Sequence, residues 1–161
     1  MNKQEVYDFL TSRGIEYEVT EHGAVFNMEE MSHVELPHPE ADAKNLFVRD
    51  DKKRNYYLIT VKGDKRVDLK KFREGHGTRP LSFASENDLM SLLGLIPSAV
   101  TPLGILNDSE RKVKIFLDEE LVNGGLIGVH PNDNTATVFL PFSAVQKYIE
   151  STGHTVRFIK V

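Results

Sequence analysis

With 161 residues, 40% hydrophobic and 27% charged side chains, the chain suits one globular domain that buries a core without staples, and its apolar share excludes the composition of disorder. It contains no cysteine, which excludes a disulfide framework, a thiolate zinc site and a cysteine nucleophile together and favours a cytosolic setting. The formal net charge of -4 conceals a segregation: 12 Lys or Arg stand against 5 Asp or Glu between Lys44 and Arg79, and 8 against 19 elsewhere.

The first residues lack the uninterrupted apolar stretch of a signal peptide, and no apolar run approaches the ~20 residues of a membrane span. Val6, Phe9 and Leu10 are spaced i, i+3, i+4 and predict an amphipathic helix from Lys3 to Arg13, stopped by Gly14. Ile15, Tyr17 and Val19 alternate with Glu16, Glu18 and Thr20 as in a half-buried strand. Asn27 and Glu30 form a capping-box pattern for a short helix ending before Pro37.

Lys44 to Val48 reads as a strand, Arg49 to Asn55 as a charged turn, and Tyr56 to Val61 as the strand that pairs back in a hairpin. Asp68 caps a helix through Phe72. Ser85 with Asp88 caps another that carries Leu89, Leu92 and Leu93 up to Gly94. The uncharged, Pro- and Gly-punctuated segment from Gly94 to Gly104 fits no period and reads as a structured loop or broken strand. Lys112 to Leu117 is a strand, and Gly124 to Val129 with Thr135 to Leu140 form a hairpin around Asn132-Asp133-Asn134. A helix begins near Ser143 with Gln146 completing its box, and Val156 to Val161 is a last strand. No repeat or linker marks a second domain. The fold expected over residues 1–161 is therefore mixed α/β, with one mixed, largely antiparallel central sheet packed by helices.

The familiar catalytic signatures are missing: no Walker loop, no G-x-G-x-x-G, no G-x-S-x-G and no H-E-x-x-H. His33, Glu35 and His38 could suggest a metal, but Pro37 interrupts any helix that would align the imidazoles, and no metal site is assigned. Two segments carry chemistry that neither core nor surface explains. Lys44-Asn45 sets a cation beside a donor–acceptor amide at the start of an apolar strand, and His130 stands between an apolar strand and a turn, with the loop Ser98 to Pro102 as its uncharged companion. An acidic protein with one basic segment suits a partner whose phosphates are met locally, such as an RNA end, better than a long DNA duplex.

Lys44-Asn45-Leu46-Phe47, His22-Gly23-Ala24-Val25-Phe26, Pro80-Leu81-Ser82-Phe83-Ala84-Ser85, Val100-Thr101-Pro102-Leu103-Gly104 and His130-Pro131-Asn132 with Asn134-Thr135 resemble, in order and spacing, the YbaK and ProX family of free-standing aminoacyl-tRNA editing deacylases. The resemblance is nearest the ProX branch, which is similar to the editing insertion domain of bacterial prolyl-tRNA synthetases. It implies trans-editing hydrolysis of alanine wrongly esterified to proline tRNA, with cysteinyl-tRNA(Pro) as the alternative substrate and a non-catalytic tRNA-binding module as the alternative class. The implied partners are the acceptor end of a mischarged tRNA and a prolyl-tRNA synthetase, in the cytoplasm, with no membrane, no DNA and no cofactor. The implied site comprises Lys44 as the catalytic residue, with Asn45, Ser98, Ala99, Val100, Thr101, Pro102 and His130 binding substrate. The family's G-x-x-x-P loop begins here with Ser98 in place of glycine, where a glycine would permit positive φ and close approach of substrate to the backbone.

Overall fold

A computed structural model describes residues 1–123 and 125–161. The strands divide between two sheets. The larger has the order β4-β2-β3-β5-β8, built from β2 (Ala43–Asp50), β3 (Tyr56–Lys62), β4 (Leu81–Phe83), β5 (Val113–Asp118) and β8 (Val156–Ile159). β2 pairs antiparallel with β3 and β4, whereas β3 with β5 and β5 with β8 run parallel. The smaller has the order β1-β7-β6, from β1 (Glu18–Glu21), β6 (Leu126–Val129) and β7 (Ala136–Pro141), and is antiparallel throughout.

The larger sheet is covered on both faces, which is why its central strands read as apolar runs rather than as alternation. On one face Phe47, Leu58, Ile115 and Leu117 join Ile127, Val129, Val138 and Leu140 of the smaller sheet. The same core receives Val6 and Leu10 from α1 (Lys3–Ser12), Leu89 and Leu93 from α4 (Glu86–Leu93), and Val145, Tyr148 and Ile149 from α6 (Phe142–Ser151). On the other face Leu46, Val48, Tyr57, Ile59 and Phe116 pack on Phe72 of α3 (Leu69–His76). Two further helices are short: α2 (Met28–Ser32) and α5 (Glu119–Val122).

The local chemistry explains most helix starts. Asn2 and Glu5 cap α1 reciprocally, Asn27 accepts from the Glu30 N–H, Asp68 from those of Lys70 and Lys71, and Ser85 from that of Asp88. Gly77 and Gly94 end α3 and α4 at φ 64° and 65°, a conformation that favours glycine.

The mixed α/β class and the largely antiparallel pairing agree with expectation; the single sheet does not. Alternation tells which side of a strand is apolar but not which edges meet, and the β6–β7 hairpin packs face to face on the larger sheet instead of extending it. The first strand starts at Glu18, and Val19 points outward. Ile15 and Tyr17 pack on the core from the connection before it, so their alternation records packing, not pairing. The segment after Gly94 is no broken strand but two 3-10 turns, Pro97–Ala99 and Pro102–Asn107, each opened by proline, the second also capped by Thr101. α6 begins at Phe142 without a side-chain cap, and Gln146 bonds Glu150 at 2.9 Å instead of closing a box. Gly124, expected at the start of a strand, lies outside the described residues.

The 3-10 segment is held by the buried Tyr148, whose hydroxyl donates to the Leu103 carbonyl at 2.7 Å. Tyr148→Phe leaves that carbonyl buried without its donor, so urea denaturation should show a loss of about 1–2 kcal/mol; an unchanged midpoint would mean that the loop is anchored elsewhere.

Candidate functional site

A cleft with two adjoining lobes opens where the start of β2, the ends of β6 and β7, α2 and the Pro97–Ala99 turn converge. The lobes measure about 300 Å³ and 240 Å³ and share Met28, Met31, Ala43, Asn45 and His130. The larger lobe is walled by apolar side chains including Val34, Leu36 and Phe139, with Asp42, His38 and Thr137 among its polar groups. Gly128 belongs to its floor: a Cβ there would meet the Phe139 ring at 2.8 Å, so the missing side chain lets the aromatic lie against the strand. The smaller lobe is lined by Lys44, Phe26, Pro97, Ser98 and Val100.

Asn45 and His130 stand where the lobes meet, and each is oriented from behind. The Thr60 hydroxyl, directly across the strand pair, donates to Asn45 Oδ1 at 2.6 Å, which leaves the Asn45 NH2 as the donor available to a ligand. His130 Nδ1 lies 2.8 Å from the Ala136 carbonyl. A carbonyl only accepts, so Nδ1 carries the hydrogen and Nε2 of the neutral ring offers its lone pair. Burial pushes this imidazole below its ordinary 6.5; the Ala136 carbonyl opposes the shift, His22 adds to it and Asp133 opposes it. Lys44 has no hydrogen-bond or ion-pair partner among the described residues, a combination suited to an anionic ligand.

The predicted loop divides in two. Ser98 and Val100 line the smaller lobe, whereas Ala99, Thr101 and Pro102 are buried outside both lobes. Thr101 caps the turn that follows it, and the Ala99 N–H is already spent on the Ile96 carbonyl at 3.0 Å. Ser98 is not among the residues with positive φ, so serine replaces glycine here without strain. Its hydroxyl accepts from Asn134 Nδ2 at 3.1 Å, and the same NH2 donates to the Val25 carbonyl at 3.0 Å. The buried Asn134 therefore joins two walls of the cleft.

Of the His33, Glu35 and His38 cluster, only His38 reaches the cleft; its Nε2 bonds Glu18 at 2.8 Å. Among the described residues no three potential ligands gather around a common point. Lys44 opens the basic segment in the cleft, but the cluster at the hairpin tip is placed away from it. Lys52, Lys53 and Arg54 form the exposed β2–β3 tip, wrapped around the buried Asp50, whose Oδ1 accepts from the N–H groups of Lys52 (3.1 Å) and Arg54 (2.9 Å). From Lys44 to this tip β2 runs roughly 20 Å. Sequence reasoning gave no role to Asp42, His22, Thr137 or Asn134, although His22 and Asn134 stand in segments that carry the family resemblance. Asp42 could have been suspected from its place two residues before Lys44. The others come together only across strands: Thr137 pairs with Thr20, and its hydroxyl meets His22 Nε2 at 3.0 Å.

Comparison with known proteins bears directly on this arrangement. A family profile for the aminoacyl-tRNA editing domain matches residues 22–148. The chain belongs to that family. The matched residues include every side chain of the cleft named above except Glu18, which faces it only through His38. The prolyl-tRNA editing protein ProX of Acetoanaerobium sticklandii is 38% identical over 159 residues, covering 99% of this chain and 97% of that protein. The prolyl-tRNA synthetase associated domain-containing protein 1 of Danio rerio is 35% identical over 159 residues, covering 95% and 84%. A crystal structure described as a proposed trans-editing enzyme for prolyl tRNA synthetase superposes with a TM-score of 0.71 at 23% identity, over 99% of this chain and 96% of that one. That last likeness concerns the fold. Among the described residues no helix is long and apolar enough to cross a membrane.

The environment of His130 in this editing domain makes its stability depend on pH. A base whose value is lowered on folding binds fewer protons folded than unfolded, so stability falls as pH drops below the ordinary value of 6.5. In urea titrations between about pH 7.5 and 5, His130→Gln should lose less stability than the wild type; parallel curves would show that the ring is protonated equally in both states.

Proposed function

We propose that this protein is a single editing domain that hydrolyses the ester of mischarged proline tRNA, with alanyl-tRNA(Pro) as its substrate. The observation that carries this reading is the two-lobed cleft with Asn45 and His130 at its junction. The larger, apolar lobe suits a small amino-acid side chain, and the smaller lobe, with Lys44, suits the terminal nucleotide and its phosphate. The names of the relatives, a prolyl-tRNA editing protein and prolyl-tRNA synthetase associated proteins, support editing in the prolyl-tRNA system and make the synthetase a natural partner.

An aminoacyl ester is labile enough that positioning and charge stabilisation suffice without a protein nucleophile. Water adds to the ester carbonyl, the ribose oxygen leaves with a proton, and free alanine and uncharged tRNA are released. Lys44 holds the terminal phosphate. The Asn45 NH2 and the His130 Nε2 lone pair orient the ribose hydroxyls and the incoming water, the 2′-hydroxyl beside the ester assisting its activation. With the Ala99 N–H engaged and Thr101 buried outside both lobes, the oxyanion donors come from the N–H groups of Ser98 and Val100. The cleft walls that meet the pinned ester, among them Gly128 and Phe139, set the limit against proline.

The test is deacylation of proline tRNA carrying alanine, cysteine, serine or proline. Alanine should leave at least about tenfold faster than proline, and Lys44→Ala should lose about a hundredfold or more in kcat/KM at unchanged thermal stability. Lys44→Arg should recover little of this, because a planar guanidinium places its donors differently. Full activity in a folded Lys44→Ala protein would remove the lysine from the mechanism, preferential release of cysteine would change the substrate, and inertness toward every ester would leave a tRNA-binding module.

The basic β2–β3 tip is suited to phosphates farther along the acceptor arm. Replacing Lys52, Lys53 and Arg54 together by Gln should flatten the salt dependence of tRNA affinity by roughly two to three in log–log slope; an unchanged slope would place the RNA on another face.

A further inference from the structure

The larger lobe holds a feature that hydrolysis of a generic ester does not need. Asp42 is the only carboxylate among its described lining residues, and it precedes β2 immediately, two residues from Lys44. Its side chain is seated against Gly63, where an added Cβ would lie 2.2 Å from Asp42 Oδ2, and Gly63 N–H donates to the Asp42 carbonyl at 3.0 Å. The missing side chain of Gly63 therefore makes the space in which this carboxylate rests.

No described cation lies within ion-pair distance of Asp42. Lys62, a nearby positive charge, turns its ammonium to the Glu40 carbonyl at 3.2 Å. His38 on the same lobe is occupied by Glu18 at 2.8 Å and stands 3.7 Å from Glu40. Asp42 is exposed as a residue, yet partial desolvation by the atoms packed around its carboxyl raises it above its ordinary 3.8, outweighing the Ala43 N–H and the Lys62 charge, with Asp64 adding to the rise. A cation arriving in the lobe would relieve that cost.

We propose that Asp42 receives the α-ammonium group of the esterified amino acid, so that the lobe recognises an aminoacyl ester rather than any small acyl ester. The inference rests on the editing function proposed above. It gives the amino acid a third point of attachment beside the ester carbonyl and the side chain, which fixes the rotation of the amino acid about its Cα–carbonyl bond.

The experiment compares alanyl-tRNA(Pro) with lactyl-tRNA(Pro), in which a neutral hydroxyl of similar size replaces the ammonium. Each enzymatic rate is divided by spontaneous hydrolysis of the same ester, because the ammonium activates the carbonyl by itself. The wild type should favour the alanyl ester by about ten- to a hundredfold in normalised kcat/KM. Asp42→Asn, at unchanged thermal midpoint, should lose that factor on the alanyl ester and stay within about twofold on the lactyl ester. An equal fall on both esters would make Asp42 a structural residue and overturn the proposal, as would a wild type with no preference, a result that decides the matter even where the variant fails to fold. A wild type that cleaves neither ester defeats the editing reading itself, and the role of Asp42 with it.

Discussion

The burial of both faces of the β2–β3–β5 strands is the constraint on which the remaining architecture depends. Because neither face can meet water, one must receive α3 and the other the smaller sheet with α1, α4 and α6. The cleft lies where this double covering ends. At the start of β2 the strand passes from Leu46, packed in the core, to Asn45, Lys44 and Asp42, which line the lobes. The start of this strand and the residue just before it thus bring an amide and two opposite charges to one place, the precise placement on which the proposed hydrolysis without a protein nucleophile relies.

Polar groups inside the cleft are positioned by partners behind them. Thr60 sets the Asn45 amide, the Ala136 carbonyl sets the His130 tautomer, and Gly63 makes room for Asp42. The charged groups are arranged differently. Lys44 and Asp42 have no ion partner among the described residues, unlike Lys65, which meets the buried Asp118 at 2.8 Å, and Arg79, which meets Asp51 at 2.5 Å. Phosphate and ammonium are complementary to that pair, and both occur at the end of an aminoacylated tRNA.

Much of this was legible in the chain because its local rules and its tertiary structure agree. The caps at Asn27, Asp68 and Ser85, the β2–β3 hairpin and the glycine stops follow from short-range chemistry. Lys44, Asn45, Ser98, Val100 and His130 were all found in linear motifs, and all line the cleft. What stayed hidden is relational. Ala99, Thr101 and Pro102 belong to the same motif as Ser98, yet a 3-10 turn buries them outside both lobes, which no spacing rule conveys. The division into two sheets depends on strand edges, which local pattern does not reveal.

The Asn134 amide carries one more implication. A single NH2 group reaches both the Val25 carbonyl and the Ser98 hydroxyl, so the separation of two segments more than seventy positions apart in the chain is set by the span of one planar group. An insertion or deletion in either segment would have to be matched by the other or by the turn that carries Asn134. The Asp51–Asn55 tip, away from the cleft, answers mainly to its chain neighbour Asp50, whose carboxylate takes the N–H groups of Lys52 and Arg54 and the Asn55 amide, so a change of length there need not be matched by either wall of the cleft. Tolerance to length variation should therefore be distributed very unevenly over loops that look equally polar.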